Sequence, residues 1–136
     1  MYLKSLLPKS ITKTWRILAI CDNRQACQVD DFLLSLAPNL KKDANRVRAL
    51  FKYVTEHGPR ELDLEISHNI APDIFEFVRG RVRVAWFYDE NKVVICSNGF
   101  IKKGQKTPKQ EIEAAQAAKS DYFFYKAKGR ITLLEE

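Results

Sequence analysis

Apolar and polar positions alternate or recur along the chain in a way that predicts a defined series of elements. Residues 14–20, TWRILAI, are rich in aliphatic, β-branched and aromatic side chains and predict a first strand. Asp22 and Asn23 then form a turn. Val29, Phe32, Leu33 and Leu36 recur at three- and four-residue steps, which predicts a helix over about residues 26–37. Pro38 and Asn39 end it. A second helix is expected over residues 40–56, with Leu40, Ala44, Val47, Phe51 and Val54 inward and Lys41, Lys42, Arg46 and Arg48 outward. Gly58-Pro59 is a helix stop.

Residues 60–71 lack periodicity and read as a loop, after which Pro72 opens a strand over residues 73–78. Gly80 turns the chain into a hairpin, with apolar runs at residues 82–88 and 92–101 joined by Asp89-Glu90-Asn91. Thr107-Pro108-Lys109-Gln110 looks like a helix start, with threonine as cap, proline first and glutamine closing a capping box. That last helix should run from Pro108 to about Lys126, with Ile112, Ala115, Ala118 and Tyr122 inward, and Gly129 ends the region. Residues 131–134 fit either a short strand or a packed tail. One strand, two helices, an antiparallel meander and a helix make the expected fold class α+β.

The chain has 136 residues, 46% of them hydrophobic and 29% charged, which suits one globular domain with one core. Net charge is +6, so an acidic partner fits. Lys102, Lys103, Lys106 and Lys109 crowd the end of the hairpin, with no acid between Ile101 and Gln110. A cationic cluster beside a helix N-terminus attracts phosphate. Cys21, Cys27 and Cys96 have no metal-ligand spacing, and an odd count without a signal peptide predicts buried thiols in a reducing compartment, the cytoplasm. No run reaches transmembrane length. No combination of histidine, cysteine and carboxylate reads as a metal site, and no cofactor is expected.

A string of residues resembles a known family. It comprises Phe75-Glu76-Phe77, Arg83 with Val84-Ala85-Trp86-Phe87, Gly99-Phe100-Ile101-Lys102-Lys103, Gln105-Lys106-Thr107-Pro108 and Glu111-Ile112-Glu113. Together with Trp15, the two helices and Gly58, it is similar to the RelE/ParE superfamily of bacterial toxins, in its HigB-type, phage-derived branch. The resemblance covers residues 14–120 of a single domain spanning 1–136 and leaves the tail at 121–136 outside it. Relatives often carry histidine where this chain has Asn98, and threonine where it has Gly104.

The resemblance implies a RelE-like fold and the toxin of a type II toxin–antitoxin pair. Such toxins commonly enter the ribosomal A site and cut mRNA, and a helix-turn-helix antitoxin is the usual partner. The ParE branch poisons DNA gyrase instead, so fold alone leaves both open. RNA cleavage by the neighbouring 2′-hydroxyl needs charge stabilisation and proton transfer. Arg83, on the strand face opposite Val82, Val84 and Trp86, is the expected phosphate clamp, its alternative being an ion pair with Glu76. As a strand-surface residue, its truncation is expected to change stability by about 1 kcal/mol or less. Lys102 and Lys103 are the expected catalytic lysines, one of them facing Arg83. Lys106 and Lys109 are expected to hold RNA backbone. Asn98 suits phosphate, ribose or a structural turn. Arg60 and His68, in the aperiodic segment, are further RNA-binding candidates. Tyr88 suits base stacking or core, Trp86 core, and His57 a helix C-terminus.

Overall fold

The structure, a computed structural model, describes residues 1–134; Glu135 and Glu136 of the expected tail lie outside that range. Seven strands form one sheet. They are β1 (Tyr2–Ser5), β2 (Arg16–Cys21), β3 (Ser67–Ala71), β4 (Ile74–Arg79), β5 (Val82–Asp89), β6 (Val93–Ile101) and β7 (Thr132–Leu134). Three helices accompany them: α1 (Gln28–Leu34), α2 (Lys41–His57) and α3 (Lys109–Ala127). The strand order is β3-β4-β5-β6-β2-β1-β7. No described helix is long and apolar enough to cross a membrane.

The meander β3-β4-β5-β6 is antiparallel throughout. The sheet as a whole is mixed, because β2 pairs parallel with β6 and β1 parallel with β7. This corrects the expected order of one strand, two helices, meander and helix in two places. A strand, β1, precedes the first expected one. Part of the expected loop over residues 60–71 is the edge strand β3. The choice left open at residues 131–134 resolves as strand β7. Strands this short give little alternation to recognise, and Ser67-His68-Asn69 is too polar to look like one. The first helix is also shorter than expected, starting after Cys27 and ending at its Ser35 cap, and Pro38–Leu40 forms a separate 3₁₀ turn.

Alternation along the strands divides the core in two. Val82, Val84 and Trp86 of β5 join Ile17, Phe77 and Val94 beneath Val29, Leu33, Val47, Phe51 and Val54 of α1 and α2. The residues between them, Ala85 and Phe87, join Leu18, Ile74, Ile95 and Phe100 beneath Ala115 and Tyr122 of α3. Of the stripe expected on α3, Ala115 and Tyr122 are fully covered, and Ile112 and Ala118 partly. Close approach fixes Gly99 on the α1 side, where any Cβ would run into the Phe32 ring. Gln28 reinforces this join by accepting from the Gly99 N–H at 2.7 Å and donating to its carbonyl at 2.9 Å.

Candidate functional site

The α3 face of the meander carries the polar constellation. Glu76 on β4 and Arg83 on β5 share that face because their strands alternate in phase, Glu76 standing opposite Ala85 and Val78 opposite Arg83. The Glu76 carboxylate is fully buried, yet both its oxygens are satisfied. Arg83 Nη1 donates to Oε2 at 2.8 Å, and Thr107 Oγ donates to Oε1 at 3.0 Å. His68 Nε2, from β3, lies 2.8 Å from Oε2. Three separate segments thus converge on one carboxylate, which is what a buried charge requires.

Arg83 keeps little freedom. Its Nε and Nη2 each donate to the Gly80 carbonyl at 3.2 Å, and its side chain is only 12% exposed. The ion pair with Glu76, the alternative to a free clamp, is therefore the arrangement present. His68 is held as closely. Its Nδ1 lies 2.6 Å from the Leu64 carbonyl, which only accepts, so Nδ1 carries a proton. Both ring nitrogens are therefore engaged, Nδ1 with Leu64 and Nε2 with Glu76.

Thr107 does not cap α3. Its hydroxyl goes to Glu76, Pro108 occupies the cap position, and no side chain caps the helix, which corrects the expected capping box. Asn98 reaches this face through a bulge, where the register shifts between Ala85 and Trp86. Its Nδ2 donates to Glu111 Oε1 at 3.1 Å and to the Glu111 carbonyl at 3.3 Å, and its Oδ1 accepts from Ser97 at 2.6 Å. Asn98 therefore ties β6 to the first turn of α3 from within the strand, not from a turn.

The lysines divide. The Lys102 N–H donates to the Arg81 carbonyl at 2.8 Å, so the β5–β6 ladder runs one residue past Ile101. In that register Lys102 has the phase of Phe100 and Arg83, and Arg81 stands opposite it; Lys103 has the other phase and is exposed. Lys102 is half-buried, whereas Lys106 is exposed in the connection to α3. Lys109 is 90% exposed, 3.8 Å from Glu113 one turn on. Among the described residues no carboxylate pairs with Arg81, Lys102, Lys103 or Lys106. The result is a cationic rim beside the Glu76 cluster.

Arg60 is not brought to this cluster. Its guanidinium lies beside Tyr88, and Tyr88 packs with Trp15, Phe75 and Trp86 on the α2 side of the sheet. Burial pushes the Tyr88 phenol above its usual range, and Arg60 only partly offsets this. Tyr88 is therefore a partly covered member of the aromatic stack, and Trp86 is core as expected. Sequence reasoning missed the centrality of Glu76 and the part played by Thr107. A carboxylate in the middle of an apolar strand, in phase with an arginine on the next, is the signal that was available.

Known proteins add one finding. A comparison with curated proteins gives no match. The family described as Phage derived protein Gp49-like (DUF891) matches residues 31–120, more than half of the 136-residue chain. The matched span runs from α1 into α3 and includes His68, Glu76, Arg83, Asn98, Lys102 and Thr107. The chain therefore belongs to the phage-derived Gp49-like family, a toxin-like family of RelE/HigB type, and this membership suggests the toxin's part in a toxin–antitoxin pair, with an antitoxin as partner.

Proposed function

We propose that the chain is the toxin of a type II toxin–antitoxin pair and cleaves mRNA on the ribosome without a metal ion, with a helix-turn-helix protein as its antitoxin. The observation that carries this reading is the rim of Arg81, Lys102, Lys103 and Lys106 beside Arg83, which no carboxylate among the described residues pairs. Such a rim binds a polyanion, and a lysine fixed by the sheet holds charge where a phosphorane develops.

In this scheme the RNA backbone lies along Lys103, Lys106 and Lys109. Lys102, fixed by its backbone bond to Arg81, stands at the scissile phosphate together with the remaining N–H groups of Arg83. Glu76 and His68 hold Arg83 in place and do not touch substrate. The 2′-hydroxyl attacks phosphorus, and the 5′-oxygen leaves. Lys102 is the group offered for proton transfer, because both nitrogens of His68 are engaged.

That same engagement favours a second reading, a toxin that binds without cutting, such as a gyrase poison. With Arg83 and His68 held by Glu76, the cluster has few donors left for a substrate. Primer extension on mRNA after brief expression separates the two. Discrete new 5′ ends that vanish in Lys102→Ala support cleavage, and DNA breaks without new ends support gyrase. Activity on RNA that a chelator abolishes and magnesium restores, in a ribosome-free assay, would overturn the metal-free scheme.

A further inference from the structure

Two of the three cysteines face each other outside the site described above. Cys21 ends β2, and Cys27 immediately precedes α1. They form an isolated antiparallel bridge across the tight connection between them. The Asp22 N–H donates to the Ala26 carbonyl at 2.9 Å, just inside the pair. Cys21 and Cys27 are thus directly opposed in a non-hydrogen-bonded pair, the position of an antiparallel ladder where side chains come closest. There the Cα atoms stand about 4.5 Å apart, inside the roughly 4.4–6.8 Å that disulfides span. Both side chains lie in the core beneath α1 and α2. Cys21 also lines an open groove with Ile20, Gln28, Phe32 and Ser97. All three cysteines are buried, Cys21 at 6% and Cys27 at 4% exposed, and Cys96 is sealed completely at 0%.

We propose that Cys21 and Cys27 form a reversible intramolecular disulfide under oxidising conditions, with a low-molecular-weight disulfide such as oxidised glutathione as oxidant. The Cys21 sulfur, as thiolate, attacks one sulfur of the oxidant from the groove. The oxidant's S–S bond breaks and one thiolate leaves. The Cys27 thiolate then attacks the Cys21 sulfur and expels the second. The protein dithiol loses two electrons, the oxidant gains them, and the two cysteine protons pass to the two leaving thiolates. The bond closes the connection over residues 22–26 and pins the start of α1 to β2. Gln28, the next residue, is the one that holds Gly99.

Burial pushes the Cys21 thiol up to about 12 and raises Cys27 as well. Only the thiolate attacks, so closure should quicken about tenfold per pH unit between neutrality and pH 9.

The test treats the folded full chain with oxidised glutathione at several pH values. Free thiols are then alkylated, and the chain is digested with trypsin without reduction. Cleavage after Arg24 separates the two cysteines, so the expected product is one cross-linked pair of peptides, residues 17–24 with 25–41. Cys96 should take up the alkylating agent only on unfolding. Cys27→Ser should instead stop at a glutathione adduct on Cys21. A wild-type chain that stays folded but yields only such adducts, cross-links between copies or unmodified thiols at pH 9 would overturn the proposal. That outcome rests on wild-type protein alone and holds even where the variant does not fold.

Discussion

On the α2 side of β4 and β5, Phe75, Phe77 and Trp86 lie ring on ring; on the α3 side the residues between them include Glu76, Arg83 and Ala85. Both faces carry buried side chains but are satisfied differently. The aromatic side contains the described buried side-chain atoms without a hydrogen-bond partner, Trp86 Nε1 and Arg79 Nε. On the polar side, both oxygens of a completely buried carboxylate are bonded. The apolar face tolerates an orphan donor because ring packing outweighs it, while the polar face has no such reserve. Removing one partner there leaves the others as uncompensated buried groups.

The strongest way to break this contrast is Glu76→Ala. It should cost about 3–5 kcal/mol in urea denaturation, the penalty for stranding a buried ion-pair partner. A loss under about 1 kcal/mol would mean that Arg83 and His68 find water instead. Arg83→Ala comes next, at about 3 kcal/mol, because its partner is buried. That exceeds the cost of about 1 kcal/mol or less expected for a strand-surface truncation. The double variant should cost clearly less than the two losses added, since each removes the same contact. Additive losses would show that the two residues act separately.

Acid sharpens the contrast at the other end of β5. Burial raises the pKa of Asp89, but hydrogen bonds from Lys126 and Tyr122 outweigh it and hold it below the ordinary carboxylate range. A carboxylate with a lowered folded pKa contributes stability above its unfolded value of about 4 and loses it as pH falls through the folded value. Asp89→Asn should therefore cost about 1–2 kcal/mol at neutral pH and flatten the acid limb of a stability–pH curve below pH 4. An unchanged acid limb would remove Asp89 as the tie between β5 and α3. The smallest effect belongs to the rim. Lys103→Ala should leave stability within about 0.5 kcal/mol of wild type, while weakening RNA binding and its salt dependence.

The helices and the hairpin were legible because their periods are long enough to see. β1 and β3 were not, being four and five residues long and partly polar. The phase that puts Arg83 away from Trp86 was also readable from alternation alone. That the face it joins is a buried one was not, because it is covered by α3 from elsewhere in the chain. Thr107 illustrates the limit: its neighbours spell a helix cap, and only the folded sheet brings Glu76 within reach of its hydroxyl. Which lysine shares the phase of Arg83 turned on one backbone bond beyond the end of β6, from Lys102 to Arg81.

The parallel pairing of β2 with β6 has a consequence for how the chain assembles. Residues 16–19 align with residues 93–96 in the middle of the sheet. During synthesis β1 and β2 can join as a local pair, and the meander can zip up hairpin by hairpin, but neither half completes the sheet. The seam between them closes only after β6 has emerged, against the entropy of a long intervening loop. Until then the edge of β2 stays open, with Ile17, Leu18 and Ala19 available to any other strand. Slow folding and aggregation of chains truncated before Val93 should both originate at that one unsealed edge.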